Sequence, residues 1–271
     1  MQEGRITPFQ RGDTLGAEGP GGFLGARIEE TGIRGRHAWS ELDDHGLTEG
    51  HPAELYRDLY AVAGQAWVDA GAVDHYILGA PGGPERDAWL GLSFFVQQVH
   101  ATRRLTEVDP TPPPAGYAIR TATPDDAAEV VDLAFQLYHQ HLAAPCWAGG
   151  TADSREEAER EWRADLGEKG MTAFLIEAPG TPAGFVLMHE RDPDTVNLHV
   201  AAVDAAHRGR GLGSALTAHA LTWAQGQRYT TCLVDWRAAN LAASRFWPAR
   251  GFRAGHCRYA RYVRPANDVW G

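Results

Sequence analysis

The chain has 271 residues, enough for one large domain or two of ordinary size. Apolar residues make up 44% and charged residues 22%, a balance that predicts a folded chain with a core. The formal net charge of −10 argues against nucleic-acid binding, which needs a basic footprint, and mildly favours cationic small molecules, although it also serves solubility.

Cysteine content and the N-terminus bear on location and cofactors. The three cysteines, at 146, 232 and 257, have neither the number nor the spacing of a disulfide framework or a zinc site. The N-terminus is polar with no signal-peptide core, and no apolar run approaches a membrane span. We therefore expect a cytoplasmic protein, monomeric or homodimeric, with no metal, membrane or nucleic-acid partner.

The first third of the chain gives an incomplete pattern. Residues 1–36 are rich in glycine and support no firm prediction. After them, alternation and helical spacing predict the order strand, helix, strand, short helix, strand, at residues 37–42, 51–71, 74–80, 85–94 and 96–105.

The stretch EVDPTPPPAG, residues 107–116, is the clearest break in composition. Its prolines can neither continue a helix nor pair inside a sheet. We interpret it as a semi-rigid linker that divides the chain into domains 1–106 and 117–271.

The sequence pattern is clearer from residue 117 onward. Thr123 as N-cap, followed by Pro124 and acidic residues, predicts the start of a helix over 123–142. Three strands separated by tight turns indicate an antiparallel meander at 172–178, 183–190 and 195–203. The other predictions are helices at 153–170 and 214–227, strands at 117–122, 229–236 and 254–263, and a short helix at 240–252 broken near Pro248.

A weak internal repeat links the two parts. Residues 87–105 align with residues 245–263, so that Trp89 falls on Trp247 and Phe94 on Phe252. The order of elements around both segments is the same, which favours a duplication over chance similarity of two amphipathic segments.

The stretch HRGRGLGSAL, residues 207–216, contains the pattern R-x-x-G-x-G between a strand and a helix. Unpaired N–H groups at a helix start, reached past glycines, suit a phosphate or pyrophosphate. A glycine turn with no ligand is the alternative that these residues alone leave open. A P-loop is excluded because no Lys follows the glycines, and the Rossmann spacing is absent.

This stretch, with the strand before it, resembles the acyl-CoA-binding core of the GCN5-related N-acetyltransferase (GNAT) family. A second segment, NLAASRFWPARGF at 240–252, is similar to the family's N-x-x-A…F-Y-x-x-x-G-F pattern. The resemblance covers about 117–263. It implies an α/β (α+β) fold of two GNAT-like domains, each a mixed, mostly antiparallel sheet flanked by helices. The catalytic one spans 117–271, and the one at 1–106 is degenerate and incomplete, as in tandem members of the family.

The resemblance also implies an activity, acyl-CoA-dependent N-acyltransfer. An acetyl group would move from acetyl-CoA, as co-substrate, to a primary amine of a small molecule by direct attack in a ternary complex. Alternatives are transfer to a thiol-cofactor amine, as in mycothiol synthase, and a CoA-binding sensor without catalysis. The residues implied in cofactor binding are Val203, Arg208, Gly209, Arg210, Gly211, Leu212, Gly213, Ser214 and Asn240.

The acid and base are less clear from the sequence. His199 and Glu190 are the candidate general bases, and strand alternation puts His199 on the face opposite Leu198 and Val200. Where the family often has a tyrosine as general acid, this chain has Trp247, whose indole is no usable acid. Tyr259 is the candidate substitute, and a water or unassisted departure of the thiolate are the alternatives.

Overall fold

The computed structural model describes residues 5–32, 34–106, 108–148 and 154–264. The chain folds as two compact units. The first unit comprises residues 1–100 together with the chain from Ala254 onward, and the second unit comprises Ala101–Arg253. The last strand, assigned from sequence to the second domain, therefore belongs to the first unit, since it pairs with a strand there.

The first unit is a mixed sheet with two helices. Its strands are β1 (Thr7–Arg11), β2 (Thr14–Gly19), β3 (Gly22–Thr31), β4 (Gly35–Ser40), β5 (His45–Leu47), β6 (Asp74–Gly79), β7 (Phe95–Arg104, its first six residues) and β13 (Arg253–Tyr262, from Ala254). Its helices are α1 (Leu55–Asp69) and α2 (Gly83–Gly91). Residues 1–36, which gave no prediction, supply three strands and the start of a fourth within the described part.

Pairing in the first unit is mostly antiparallel. Strands β1 to β4 form a meander, β4 runs parallel to β6, and β13 pairs antiparallel with β6. The core beneath this sheet is aromatic, with Trp67, Trp89 and Tyr259 fully buried. Such residues bury large areas each, which is enough to hold a small unit together.

The second unit has an antiparallel meander extended by one parallel strand. The order is β12-β11-β10-β9-β8, from β8 (Ala118–Thr121), β9 (Met171–Ala178), β10 (Thr181–Asp192), β11 (Thr195–Val203) and β12 (Thr231–Arg237). The helices are α3 (Ala127–Leu142), α4 (Arg155–Gly167), α5 (Leu212–Gly226) and α6 (Leu241–Phe246). The mixed, mostly antiparallel architecture predicted from sequence is confirmed.

The two faces of this sheet are covered by different helices. On one face, Phe185 and Leu187 of β10 pack with Val130 and Leu133 of α3, and Trp162 of α4 adds to the same cluster. We call this the α3/α4 face. On the other face, Phe174 of β9 contacts His219 and Trp223 of α5, with ring centroids 4.7 and 5.7 Å apart. We call this the α5 face.

The internal repeat reappears as local structure within each unit. Phe94 N–H donates to the Trp89 carbonyl at 3.1 Å, and Phe252 N–H donates to the Trp247 carbonyl at 3.3 Å. The two Trp–Phe ring pairs also match, with centroids 5.7 and 5.5 Å apart. The same short helix and turn therefore occur twice, as a duplication predicts.

The start of α3 is fixed by Asp126. Its carboxylate accepts the Thr123 N–H at 2.7 Å and forms a bidentate pair with Arg120 at 2.7 and 2.8 Å. The Arg120 guanidinium and the Thr123 groups lower the pKa of Asp126 from 3.8 to about 2. Thr123 is the N-cap of a 3-10 turn, Pro124–Asp126, that leads into α3 at Ala127. The start predicted at Thr123 and Pro124 is therefore correct for this turn, which carries the charged cap.

We predict that Asp126→Asn lowers the free energy of unfolding by about 2 kcal/mol at pH 7. Because the folded-state pKa lies below the unfolded one, the carboxylate stabilises the fold above about pH 4. That contribution falls as pH drops through 3.8 towards 2, so the difference between variant and wild type shrinks there. Urea unfolding between pH 7 and pH 3 measures it. Asp125→Asn is the matched control, since the Asp125 side chain is 98% exposed, and an equal loss in both variants would contradict the prediction.

Candidate active site

Strand β11 leaves its parallel partner β12 halfway along its length. Pairing joins Thr195–Leu198 to Thr231–Val234, and the described register contains no further pair between these strands. Residues 199–203 therefore keep backbone N–H and C=O groups on that edge that no strand occupies. An extended ligand can bind there as an added strand.

A β-bulge lies where the two strands part. On the other edge of β11, Leu187 pairs with Val200 and Met188 with Leu198, so that His199 is the extra residue. Val200 packs in the cluster on the α3/α4 face, and His199 lies there too, because its ring is 6.0 Å from that of His189. His199 lies on the face opposite Leu198, as expected. It lies on the same face as Val200, so that part of the expectation is wrong, because the bulge interrupts the alternation.

The surroundings of His199 favour a neutral imidazole. The His199 side chain is exposed to solvent. Desolvation by the neighbouring protein is nevertheless the largest cause that lowers its pKa below 6.5. The positive charge of a protonated His189 lowers it further, while Asp235 and Asp165 raise it. A histidine that is neutral near pH 7 can accept a proton, which is the property a general base needs.

Glu190, the other candidate base, occupies a different environment. It follows His189 in β10 and pairs with Val196, so alternation puts it on the α5 face, away from His199. Its side chain is exposed, and a hydrogen bond to it helps to raise the pKa of Tyr229. The two candidates thus lie on opposite faces of the sheet and do not act on one proton.

The glycine-rich stretch forms the start of α5. Gly209 and Gly211 have φ of 75° and 82°, a region that favours glycine, and Gly211 is the N-cap of α5. The first bond of the helical ladder runs from Ala215 N–H to the Gly211 carbonyl at 3.1 Å. The N–H groups of Leu212, Gly213 and Ser214 lie ahead of it and carry the positive end of the helix dipole.

Space at this helix start differs between its glycines. A Cβ at Gly209 would meet nothing within 4 Å, and one at Gly211 only Pro114 at 3.9 Å. A Cβ at Gly213 would lie 3.2 Å from the ring of Phe246 in α6. Gly213 therefore allows α6 to pack against α5, while Gly209 and Gly211 leave open space over the backbone of the helix start. These residues fit an anionic group such as a pyrophosphate.

The two arginines of the stretch hold the loop as well as adding charge. Arg208 donates to the Val203 carbonyl at 3.3 Å and to Gln140 at 3.3 Å. Arg210 donates to the Tyr117 hydroxyl at 3.1 Å. Both side chains are exposed, so their charges remain available to a ligand at the surface.

Asn240 and Trp247 have structural roles in α6. The Asn240 side chain is the N-cap of α6 and accepts the Ala243 N–H at 3.1 Å. Trp247 is buried between the rings of Phe246 and Phe252.

Tyr259 does not have the environment of a general acid. It is fully buried in the core of the first unit, and its hydroxyl donates to the Ala80 carbonyl at 2.5 Å. Burial is the first cause that raises its pKa well above the ordinary value. The expectation that Tyr259 protonates a thiolate is therefore not supported, because its proton already stabilises this core.

The cysteines are free thiols and provide no activated nucleophile. Cys232 and Cys257 are buried, as expected for packing residues, and burial raises the pKa of Cys232 to about 12. Within residues 5–32, 34–106, 108–148 and 154–264, no His, Cys, Asp and Glu side chains group in a way that suits a metal ion. In the same ranges no helix is long and apolar enough to cross a membrane.

Sequence reasoning missed the residues that surround His199. Asp165 of α4 and Asp235 of β12 act on its charge, and neither belongs to a motif. The acidic residues in those elements were visible, but their convergence on one histidine depends on the packing of α4 and β12 around β11.

Comparison with known proteins follows from this geometry. Residues 136–252, which include the split strand and the helix start, match the model of the acetyltransferase (GNAT) family. A mycothiol acetyltransferase of Mycolicibacterium paratuberculosis is 31% identical over 238 residues, covering 80% of this chain and 72% of the relative. Two further mycothiol acetyltransferases match over about half of their own length, 48% and 41%.

Solved structures share the fold. A GCN5-related N-acetyltransferase from Sphaerobacter thermophilus superposes with a TM-score of 0.65 at 14% identity, covering 95% of this chain and 82% of its own. A tandem GNAT protein from the clavulanic acid biosynthesis pathway superposes with a TM-score of 0.50 at 17% identity, covering 96% and 86%. At these identities the likeness concerns the fold alone.

We predict that NMR titration will give His199 a pKa below 6.5. His189→Gln removes the positive charge that lowers it, so the pKa of His199 moves up in that variant. The matched control is His51→Gln, which removes an exposed histidine of the first unit. A His199 pKa at or above 6.5, or a His199 pKa that does not change in the His189→Gln variant, would contradict the assigned environment.

Proposed function

Because this chain belongs to the GNAT family of acetyltransferases, we propose that it transfers an acetyl group from acetyl-CoA to a primary amine of a small molecule. One observation carries the proposal. A strand that parts from its neighbour, a histidine bulged out at that point and a backbone-lined helix start follow one another along residues 195–214.

Donor binding in this proposal relies on the backbone of the second unit. The N–H groups from Arg208 to Ser214 bind the pyrophosphate, and the free edge of residues 199–203 pairs with the amide groups of the pantetheine arm. Acetyl-CoA supplies an activated thioester. A backbone N–H on the same edge stabilises the negative charge that develops on its carbonyl oxygen during attack.

Proton transfer in this proposal relies on His199. An amine attacks only after its ammonium form has lost a proton, so the base must be neutral at working pH and close to the attacked carbon. His199 fits because its pKa is lowered and because it lies at the point where the strand edge opens. The new C–N bond replaces the C–S bond, the thiolate leaves as free CoA, and the amine's proton passes to the imidazole.

A second candidate acceptor comes from the relatives. The three relatives reported above are mycothiol acetyltransferases, and 31% identity over 238 residues to one of them supports a related acceptor, the amine of a thiol cofactor precursor. Both candidates share the donor and the chemistry, and they differ in the acceptor alone.

We predict that Gly211→Trp weakens acetyl-CoA binding by ~100-fold or more. An indole would cover the backbone N–H groups at the helix start and exclude the anion, which equals the loss of two charge-assisted hydrogen bonds of about 1.5 kcal/mol each. Isothermal titration calorimetry with acetyl-CoA measures the affinity.

The control for this variant is Gly180→Trp, because Gly180 has a similar positive φ of 78° and a Cβ there also meets nothing within 4 Å. Thermal unfolding of both variants verifies that they fold. Unchanged affinity in a folded Gly211→Trp protein would show that the anion binds elsewhere.

We predict that His199→Gln lowers kcat by about 10²–10⁴-fold and leaves the Kd of acetyl-CoA within a few-fold of wild type. Release of free CoA thiol over an amine panel measures turnover. In the wild type, kcat/KM rises with pH as His199 loses its proton, and this limb disappears in the variant.

Glu190→Gln is the comparison, because Glu190 lies on the opposite face and its loss is expected to change kcat little. Equal losses in both variants would argue that neither is the specific base. A large loss in Glu190→Gln alone would move the base to Glu190.

A further inference from the structure

A pocket of about 230 Å³ lies on the α3/α4 face of the second unit. Side chains from α3, α4 and β11 line it, among them Ala134, Phe135, Tyr138, His141, Trp162 and Val200. None of the described residues that line it is an Asp, Glu, Lys or Arg. Burial and the positive charge of Arg237 lower the pKa of His141, so this imidazole is neutral near pH 7. The interior is therefore apolar and uncharged.

The pocket adjoins the proposed base. Val200 forms part of its wall and follows His199 directly in the chain. The bulge puts both side chains on the same face, whereas a regular strand would put them on opposite faces. A molecule held in the pocket is thus next to the imidazole and next to the strand edge assigned to the thioester. The charged groups near that imidazole, Asp165, Asp235 and Arg191, are outside the pocket.

We infer that this pocket binds the body of the acceptor, and that the acceptor is a primary amine on an apolar, ring-sized group. An apolar cavity of about 150 Å³ is enough to take up benzene, so a ring with a short aminoalkyl chain matches the volume of about 230 Å³ here. Burial of its apolar surface provides the affinity. A polycationic amine or an amino sugar would lose hydration in this pocket without gaining partners. The inference rests on the proposed function and narrows its acceptor.

The probes that test it are phenethylamine and glucosamine, each with acetyl-CoA. We expect kcat/KM to be at least ~10-fold higher for phenethylamine, because the hydroxyl groups of the sugar lose hydration in the pocket without gaining partners. An equal or higher kcat/KM for glucosamine would overturn the inference and leave the acetyltransferase proposal intact.

Filling the pocket is the second test. Ala134→Leu adds apolar volume to the wall, and we expect it to lower kcat/KM for phenethylamine at least ~10-fold with little change in acetyl-CoA affinity. Ala128→Leu makes the same change on α3 outside the pocket and serves as the control. If Ala134→Leu instead alters the preference between acetyl-CoA and butyryl-CoA, the pocket holds the acyl chain and the inference is wrong.

A binding measurement separates this inference from the proposed function. Saturation-transfer NMR detects phenethylamine on protein saturated with CoA and needs no turnover. Binding to wild type that Ala134→Leu abolishes supports the pocket even if no amine is acetylated, in which case only the proposed function fails. Absence of phenethylamine binding to wild-type protein would overturn the inference whatever the activity.

Discussion

The divergence of β11 from β12 after Leu198 is the feature on which the rest of the site depends. Four paired residues fix the direction of β11, and the bulge at His199 then turns the strand as pairing with β12 ends. At this point an edge opens for an extended ligand, and the bulge puts Val200 on the α3/α4 face beside His199. A regular strand in this position would point Val200 away from the cluster that it joins.

The start of α5 brings positive potential to a site in an otherwise acidic chain. The chain carries a net charge of −10, and Asp165 and Asp235 act on His199. At the end of β11 the N–H groups of α5 and the exposed Arg208 and Arg210 provide the positive potential that an anion needs. The same second unit thus offers an anion site at one end of the strand and an acidic setting for an ammonium at the other.

Duplication explains the construction of the chain better than it explains its chemistry. The Trp89–Phe94 turn and the Trp247–Phe252 turn are alike in sequence, hydrogen bond and ring contact. The glycine-rich stretch has no counterpart in the first unit's sequence. The first unit has an aromatic core instead. Tyr259 is part of that core, although the sequence made it a catalytic candidate.

The sequence by itself determined the elements of the second unit, the glycine-rich helix start at 207–216, the cap at Thr123 and the family, because these depend on local spacing, glycine and capping residues. Only the tertiary structure decided which candidate base lies at the opened edge, since the point where β11 parts from β12 depends on pairing between strands distant in sequence. It also decided the pocket at Tyr138 and the placement of the last strand in the first unit. Those depend on packing between elements distant in sequence, and no local pattern in the chain encodes such packing.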